Sequence, residues 1–369
     1  MKLTDREWKE FNFIDIFIIK GGFYNKKPPM ENGGNIPFLG AVDNNNGITE
    51  FYTLNNIAIN SKVGYGKNEP LPQKIYQGNC ICVTNNGSVG YAYYQKHIFT
   101  CSHDINPLYL KYVVLTENLA MFLISAIEQQ KVCFKYSRKW RPKRMRKSKI
   151  LLPVNDENKP DYQFMEDYVK EIMHRKRQEY IDYAKVKLEQ NRTEQIIPLH
   201  SKKWKEFFVV DIFPSIQRGK RLIKDKQISG SVPYVSSTAM NNGVDNFIQY
   251  DSSKMRKYQN CLSVANSGSV GASFYEPFEY VASDHVTHLK NDNFDKNIYL
   301  FISAMTKRWS QKYNFNREIN DLRISREKIL LPVNNNDKPD YAYMEQYVNN
   351  ILMQKYNDYL EYAEKSKNI

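Results

Sequence analysis

A chain of 369 residues with 41% hydrophobic residues can bury substantial cores, and its length suggests two or three domains. Its 53 Lys and Arg against 40 Asp and Glu give a formal charge of +13, which indicates either a polyanionic partner or simply a Lys-rich proteome. No apolar run approaches the length of a transmembrane helix, so we expect no membrane partner.

The five cysteines are an odd set without the paired spacing of a zinc site or a secreted disulfide framework. Cys80 and Cys82 lie in a strand-like run, where alternation predicts that both thiols lie on one buried face. No signal-peptide pattern precedes Trp8, so we expect a cytoplasmic protein. Because the cysteines lack the spacing of a zinc site, we also expect that the chain binds no metal.

The first half opens with short strand and turn motifs. They are Trp8-Lys9-Glu10-Phe11, Asp15-Ile16-Phe17, Lys20-Gly21-Gly22, Asn35-Ile36-Pro37-Phe38, Asn45-Asn46-Gly47 and Asn86-Gly87-Ser88-Val89-Gly90. The Asn-Asn-Gly motif predicts a tight turn with positive φ angles, because Asn and Gly tolerate them. The Gly-Ser-Val-Gly motif is too short for a phosphate-binding P-loop and is expected to be a structural turn. A helix is predicted from Leu108 to Gln130.

The segment from Lys131 to Lys149 is strongly basic, with ten Lys or Arg and no acidic residue. Phe134, Tyr136 and Trp140 lie among these basic residues. A solvated charged loop is one interpretation. Aromatic residues and a proline in the run favour the other, a formed surface that contacts the phosphates of nucleic acid.

A long helix is predicted after the apolar run Lys149–Pro153. Lys159-Pro160-Asp161 precedes it, and there the proline suits the first helical turn while the acid suits the positive end of the helix. Apolar residues then recur at spacings of three and four. At 1.5 Å per residue, about thirty residues make a rod of roughly 45 Å.

The second half repeats these landmarks in the same order. Trp204-Lys205-Glu206-Phe207 and Asn241-Asn242-Gly243 follow their counterparts by 196 positions, Ser267-Gly268-Ser269-Val270-Gly271 by 181, and Lys328–Leu352 by 179. A counterpart of the first helix is predicted from Lys296 to Lys312, and a second long helix follows Lys338-Pro339-Asp340. Because the offset between equivalent motifs falls from 196 to 179 along the chain, the two halves differ in length in the loops between these motifs.

The repeat predicts an α+β (mixed α/β) protein with two tandem globular domains, each followed by a long helix. The expected limits are 1–155 and 201–334 for the globular domains, 156–200 for the first helix and linker, and 335–369 for the second helix. Each helix could merely cover its own domain. The sharper hypothesis is that the two apolar stripes pair as an antiparallel coiled coil, through Met165, Val169, Ile172, Ile181, Leu188, Met344, Val348, Ile351 and Leu360.

Candidate DNA-contacting residues follow from residue type and position. Arg, Asn and Gln recognise guanine and adenine edges, whereas Lys mostly holds phosphates. The candidates in the first half are Lys20, Lys26, Lys27, Asn45, Asn46, Asn86, Ser88, Lys135, Arg138, Lys139, Arg141, Lys143 and Arg144; those in the second half are Arg218, Lys220, Arg221, Asn241, Asn242, Ser267, Ser269, Lys312, Asn314, Asn316, Arg317 and Arg323. The two halves thus present different side chains on one frame, which suits two different half-sites.

Catalytic constellations are weak. Ser102-His103-Asp104 and Ser283-Asp284-His285 contain acid and base groups, but neighbours on a strand point to opposite faces and should form no relay. One alternative function is a metal-dependent nuclease that uses His103, Asp104, Asp284 and His285. Another is a protein-interaction scaffold or decoy that uses the coiled coil without DNA.

In the order and duplication of these motifs the chain resembles the specificity (S) subunits of type I restriction-modification systems and of the related type IIB enzymes. The resemblance covers nearly every residue, although an Asp-Tyr pair follows the helix-starting proline where many members have Glu-Gln. It implies two target recognition domains that bind a bipartite double-stranded DNA sequence, with the paired helices as a ruler between them.

The same resemblance implies that the chain is not an enzyme and binds no cofactor. Methyltransferase subunits, expected to number two, and restriction or translocase subunits would then be its partners. Those partners would bind S-adenosylmethionine, and also ATP and Mg2+.

Overall fold

The computed structural model describes residues 1–134, 138–314 and 317–365. The chain divides into two compact units, Met1–Glu179 and Tyr180–Ile369, and the division falls inside the first long helix. The domain limits expected from the sequence remain a prediction. Each unit is mixed α/β, as predicted.

The first unit contains short strands, four α-helices of 4 to 12 residues and the start of a long helix. In chain order they are β1 (Trp8–Asn12), α1 (Phe13–Ile16), β2 (Phe17–Ile19), β3 (Ile36–Leu39), β4 (Ile48–Tyr52), α2 (Leu54–Ile59), β5 (Cys80–Thr84), β6 (Ala92–Gln95), β7 (Thr100–Cys101), β8 (Ile105–Leu110), α3 (Glu117–Glu128), α4 (Pro142–Met145), β9 (Lys149–Pro153) and α5 (Tyr162–Gln190). The strands form sheets in the orders β2-β8-β5-β6, β4-β3-β7 and β1-β9.

Strand β5 separates two hydrophobic cores of the first unit. Ile81 and Val83 face the core that includes α3, whereas Cys80 and Cys82 face the core of β3 and β4. The two thiols lie on one buried face with 3.9 Å between their Sγ atoms, which confirms the prediction from alternation.

The second unit repeats this arrangement. Its elements are β10 (Trp204–Phe208), α6 (Val209–Ile212), β11 (Ser215–Arg218), β12 (Ser229–Val235), β13 (Val244–Ile248), β14 (Lys257–Tyr258), β15 (Cys261–Ala265), β16 (Ser273–Glu276), β17 (Tyr280–Ala282), β18 (Val286–Lys290), α7 (Lys296–Thr306), α8 (Asp321–Arg326), β19 (Lys328–Pro332) and α9 (Tyr341–Lys365). Its sheets have the orders β11-β18-β15-β16, β13-β12-β17-β14 and β10-β19.

The two repeated end motifs meet in each unit. Strand β1 pairs antiparallel with β9, with Trp8 opposite Pro153, and β10 pairs with β19, with Trp204 opposite Pro332. The first strand and the last strand of each unit therefore close it, just before its long helix begins.

The helix predicted from Leu108 to Gln130 is wrong at its start. Leu108 belongs to β8, because this apolar run pairs with β2 and β5 in the sheet. Helix α3 begins only at Glu117, after Thr116, whose hydroxyl accepts a hydrogen bond from the Leu119 amide at 3.2 Å. Its counterpart α7 ends at Thr306 and a 3-10 turn follows it.

The apolar stripes of the long helices divide between two kinds of contact. In α5, Met165 and Val169 pack on the core of the first unit, while Ile172 lines a groove next to α3. In α9, Met344 and Val348 pack on the core of the second unit, while Ile351 is 41% exposed. The N-terminal half of each helix therefore covers its own unit.

The rest of α5, from Tyr180 onward, pairs antiparallel with α9 inside the second unit. The Tyr180 and Tyr359 ring centroids lie 4.5 Å apart, and those of Tyr183 and Tyr356 lie 5.9 Å apart. Apolar residues complete this contact, and Ile181 is also buried. They are Ala184, Leu188, Leu352, Met353 and Leu360.

Candidate nucleic-acid interface

The basic segment of the first unit is anchored by aromatic rings that turn inward. Phe134 and Trp140 are buried and stack with 4.5 Å between ring centroids. The Trp140 indole N–H donates to the Ser148 hydroxyl at 2.9 Å. These two rings therefore fix the loop, rather than offering an aromatic surface to a ligand. Tyr136 lies outside the described residues.

Basic side chains of the anchored loop line a concavity of about 590 Å³. We call them the basic surface: Arg138 together with the five lining residues Lys139, Arg141, Lys143, Arg144 and Lys147. Arg144 also braces the loop by donating from Nη1 to the Lys139 carbonyl at 2.6 Å. Six cations on one short segment create a field that favours phosphate groups.

The buried amide of Asn85 ties this loop to the rest of the unit. Its Nδ2 donates to the Asn106 Oδ1 at 2.8 Å and to the His103 carbonyl at 3.2 Å. Its own carbonyl accepts from the Trp140 amide at 3.0 Å. Asn85 thus holds three chain segments together, and the predicted contact residues Asn86 and Ser88 follow it in the turn between β5 and β6.

His103 and Asp104 lie beside the basic surface. Their Nε2 and Oδ1 atoms are 3.3 Å apart, and Arg141 Nη2 lies 3.9 Å from the same oxygen. The expectation that these neighbours point apart is wrong, because they occupy a turn rather than a strand. Ser102 accepts from the Asp104 amide at 3.0 Å, so its hydroxyl is used outside any relay with His103.

The loop after β2 borders the same surface. Arg146 Nη2 donates to the Ile19 carbonyl at 3.2 Å, and a Cβ added to Gly21 would lie 3.9 Å from Pro142. The predicted contact residue Lys20 follows directly, with its Nζ 4.8 Å from the centroid of the Tyr109 ring. Four segments therefore converge at this edge of the first unit.

In the second unit the equivalent chain segments meet around Asn266. We call the place where the segments meet around Asn85, or around Asn266, a junction. The Asn266 Nδ2 contacts the Thr287 hydroxyl at 3.2 Å and the Asp284 carbonyl at 3.4 Å. Its carbonyl accepts from the Ile319 amide at 3.0 Å, just as Asn85 accepts from Trp140. Asn266 therefore occupies in the second unit the structural role of Asn85 in the first.

The side chains around the second junction differ in charge. Positions 138–149 contain eight basic residues and no acidic one, whereas positions 317–328 contain four basic and three acidic residues. Lys312 pairs with Glu327 at 2.6 Å, and Arg323 donates to the Glu318 carbonyl. The second unit thus presents a mixed polar surface where the first presents cations.

His285 and Arg218 add further polar contacts at the second junction. The Ser267 hydroxyl lies 2.7 Å from the His285 Nδ1, and the Arg218 Nε donates to the Asp284 carbonyl. His288 lies opposite Gln217 in the β11–β18 pair, and burial lowers its pKa to about 4, so that this ring is neutral near pH 7. A concavity of about 500 Å³ nearby is lined by the Gly268–Gly271 turn, including Ser269, and by Asn314.

The Asn-Asn-Gly turns adopt the predicted conformation. Asn45 and Asn46 have φ of 47° and 51°, and Asn241 and Asn242 have φ of 49° and 53°. The amides of the first pair are used inside the unit, because Asn46 donates to the Tyr94 carbonyl and Asn45 to the Ile48 carbonyl. The turn thereby fastens β4 to β6.

Other predicted residues lie away from the junctions or outside the described residues. Lys27 pairs with Glu50 at 3.1 Å, and the Lys26 chain packs beside Gly64. In the second unit the Lys220 amide donates to the Ala282 carbonyl at 3.2 Å, and Arg221 is exposed. Lys135 and Asn316 lie outside the described residues.

Lys147 completes the basic surface and belongs to the basic segment that was predicted to contact nucleic acid. One pair of basic residues was missed by the sequence interpretation. Lys62 and Lys67 flank an exposed Gly64-Tyr65-Gly66 turn, a pattern of glycines, aromatic and lysines that is visible in the sequence.

Among residues 1–134, 138–314 and 317–365, no group of three or more His, Cys, Asp or Glu side chains could hold a metal ion. Over the same residues, no helix combines the length and apolar character needed to span a bilayer.

The sequence is similar to known proteins over most of its length. The model of the type I restriction modification DNA specificity domain matches residues 5–181 and, a second time, residues 201–362. A relative from Heyndrickxia coagulans, the type II restriction enzyme BgcI specificity subunit S.BcgI, is 29% identical over 279 residues, which are 75% of this chain and 79% of the relative.

Solved structures give more distant matches. The S subunit of a type I restriction-modification system from M. genitalium has a TM-score of 0.45 and 15% identity, and the match covers 99% of this chain and 94% of that one. The HsdS subunit from Thermoanaerobacter tengcongensis has a TM-score of 0.32 and 10% identity, with coverage of 95% and 90%.

Proposed function

Because this chain belongs to the type I restriction modification DNA specificity domain family and is a DNA-recognising specificity subunit of a restriction-modification system, we propose that it recognises a bipartite target. The first unit contacts one half-site and the second unit contacts the other. The observation that carries this proposal is the duplicated junction, in which Asn85 and Asn266 hold equivalent segments while the surrounding side chains differ.

Each junction carries one arginine that is suited to contact the edge of a base. Exposed Arg138 and Arg317 are equivalent at the offset of 179, and each guanidinium lies over an anchored ring, 5.7 Å from Phe134 and 5.3 Å from Tyr313. Such stacking limits the rotamers of an arginine and presents its planar fork for two parallel hydrogen bonds. Neighbouring lysines contact phosphates and fix the register.

The proposal also assigns partners. As a member of the specificity-domain family the chain has a non-catalytic role, so methylation and cleavage are assigned to other subunits. We expect two methyltransferase subunits that bind S-adenosylmethionine, together with restriction or translocase subunits that bind ATP and Mg2+. The double-stranded DNA is the ligand that this chain itself binds.

The test compares Arg138→Ala with Arg317→Ala in the assembled methyltransferase complex. Sequencing methylated bases in cellular DNA first defines the target, and methylation rates are then measured on DNA altered in one half-site at a time. Each variant should lose discrimination in one half-site only, by roughly 5- to 150-fold, because one good base contact is worth ~1–3 kcal/mol.

Arg138→Lys is the matched control, because it keeps the charge and loses the planar fork. We expect it to restore affinity for DNA in general but not the preference within its half-site. An equal loss on all sequences for both alanine variants would show that these arginines hold only phosphates. A complex without any sequence preference, or plasmid cleavage by the purified chain with Mg2+, would contradict the proposed function.

A further inference from the structure

The first unit carries an insertion that the second unit lacks. Between β4 and β5 there are 27 residues, whereas only 12 separate the equivalent strands β13 and β15. This difference accounts for the change of offset from 196 to 181 between the repeated motifs. Since the second unit keeps the same frame without this segment, the insertion is not needed to build the fold.

Within the insertion, residues 60–69 form a loop with an exposed aromatic tip, which we call the Tyr65 loop. Tyr65 is 77% exposed, and the glycines on either side of it have φ of 83° and 78°. Positive φ at both positions favours glycine, which has no Cβ, and the exposed tyrosine lies between them. Lys62 and Lys67 lie on the same loop.

A buried lysine organises the base of the Tyr65 loop. Lys74 is fully buried, and its Nζ donates to the carbonyls of Ile57, Ala58 and Asn60 at 3.2, 2.9 and 2.7 Å. Its fourth contact is the Asn68 side chain. Burial of a lysine is costly and lowers its pKa, and the cost is offset because the surrounding oxygens accept hydrogen bonds from its ammonium.

Shorter contacts fix the tip itself. The Ser61 hydroxyl donates to the Tyr65 carbonyl at 2.9 Å, and the Gly64 amide donates to the Ser61 carbonyl at 3.2 Å. The Lys62 amide donates to Glu69 at 3.1 Å. A loop held this firmly fixes the backbone position of the exposed tyrosine before any ligand arrives, which lowers the entropy cost of binding.

The Tyr65 loop is joined to the basic surface through Tyr24. The amides of Asn25 and Lys26 donate to the Lys62 carbonyl at 3.0 and 3.2 Å. The carbonyl of Tyr24 accepts from the amide of His103 at 2.8 Å, and His103 contacts Asp104 beside Arg141. The loop and the basic surface therefore lie along one continuous edge of the first unit.

We propose that the Tyr65 loop is a second DNA contact of the first unit, in which Tyr65 contacts a base and Lys26, Lys62 and Lys67 hold the flanking phosphates. This inference rests on the proposed function, and it adds a specificity-determining residue to the first half-site only. Tyrosine suits the role because it offers a large flat ring and a polar tip while losing little conformational freedom.

The test measures binding of double-stranded target DNA by the full chain in its methyltransferase complex. Tyr65→Ala should weaken binding of the target by roughly 5- to 150-fold, because one good contact with a base edge is worth ~1–3 kcal/mol. Tyr65→Phe should keep most of the affinity, since it keeps the ring. Lys67→Gln should lower the slope of log K against log salt by about one, because one phosphate contact is lost.

Tyr112→Ala is the matched control, because Tyr112 is 87% exposed but lies beyond the opposite end of β8 from the Asp104 turn. It should bind target DNA like the parent. Parent-like binding by Tyr65→Ala, in a complex that still prefers its target, would overturn the inference and leave the proposed function standing. A parent complex without sequence preference would overturn both.

Discussion

Glu276 gives a prediction in which the two units serve as controls for each other. Its carboxyl is fully buried at the end of β16, where Oε1 accepts from the Ser263 hydroxyl at 2.9 Å. Oε2 has no hydrogen-bond partner in the described part of the chain. Gln95 occupies the equivalent place in the first unit and donates to the Asn46 carbonyl at 3.0 Å. The second unit therefore carries an ionisable group where the first carries a neutral amide.

Burial raises the pKa of Glu276 from 4.5 to about 7, and the hydrogen bond from Ser263 opposes this shift. Because the folded state favours the protonated acid, its contribution to stability is full below pH 4.5 and is lost as the pH rises through 7. At 1.36 kcal/mol for each pH unit between the two pKa values, the loss amounts to about 3 kcal/mol. Glu276→Gln should not show this loss.

Urea unfolding of the parent and of Glu276→Gln at several pH values between 4.5 and 8 measures the effect. Hydrogen exchange of peptides from β15 and β16 assigns it to the second unit, while peptides from β5 and β6 serve as the internal reference. The free energy of unfolding of the variant should exceed that of the parent by an amount that grows by about 3 kcal/mol across this range. Gln95→Glu should transfer the same pH dependence to the first unit. A constant difference between parent and variant would refute the reasoning.

Two further predictions concern cations of the first unit. Lys74→Met, which copies Met255 at the equivalent position of the second unit, should remove the hydrogen bonds that the ammonium donates to the Ile57, Ala58 and Asn60 carbonyls and cost about 1–3 kcal/mol of stability in urea. Unchanged hydrogen exchange in the Tyr65 loop would contradict this role. Replacing both Lys143 and Lys147 with Gln should lower the slope of log K against log salt by about two, measured by titration at several salt concentrations. An unchanged slope would place both lysines outside the phosphate contacts.

Local chemistry made part of the fold predictable from the sequence. The Asn-Asn-Gly turns, the paired thiols of β5 and the long helices depend on neighbouring residues, and each is present in the structure. The start of α3 was not predictable in this way. The β8 run is apolar enough for either a helix or a strand, and only its pairing with β5 decides between them.

The orientation of the basic segment also depends on distant partners. Phe134 and Trp140 lie among cations in the sequence, and nothing local shows that they stack in the core. The partner that fixes Trp140 is Asn85, more than fifty residues earlier in the chain. For the same reason the Tyr65 loop is visible in the sequence as a glycine-rich turn, while its anchor on buried Lys74 emerges only in three dimensions.

The duplicated junction explains how such a protein can acquire new targets without losing its fold. Asn85 and Asn266 hold their loops largely through backbone atoms, and removal of a buried, hydrogen-bonded amide is costly whatever the surface carries. The exposed cations contribute little to stability, because surface substitutions usually change it by about 0.5 kcal/mol or less. The fold is therefore compatible with opposite charges at equivalent positions, as with Lys139 in the first unit and Glu318 in the second. Recognition can change at the surface while the buried amides keep the geometry in which it acts.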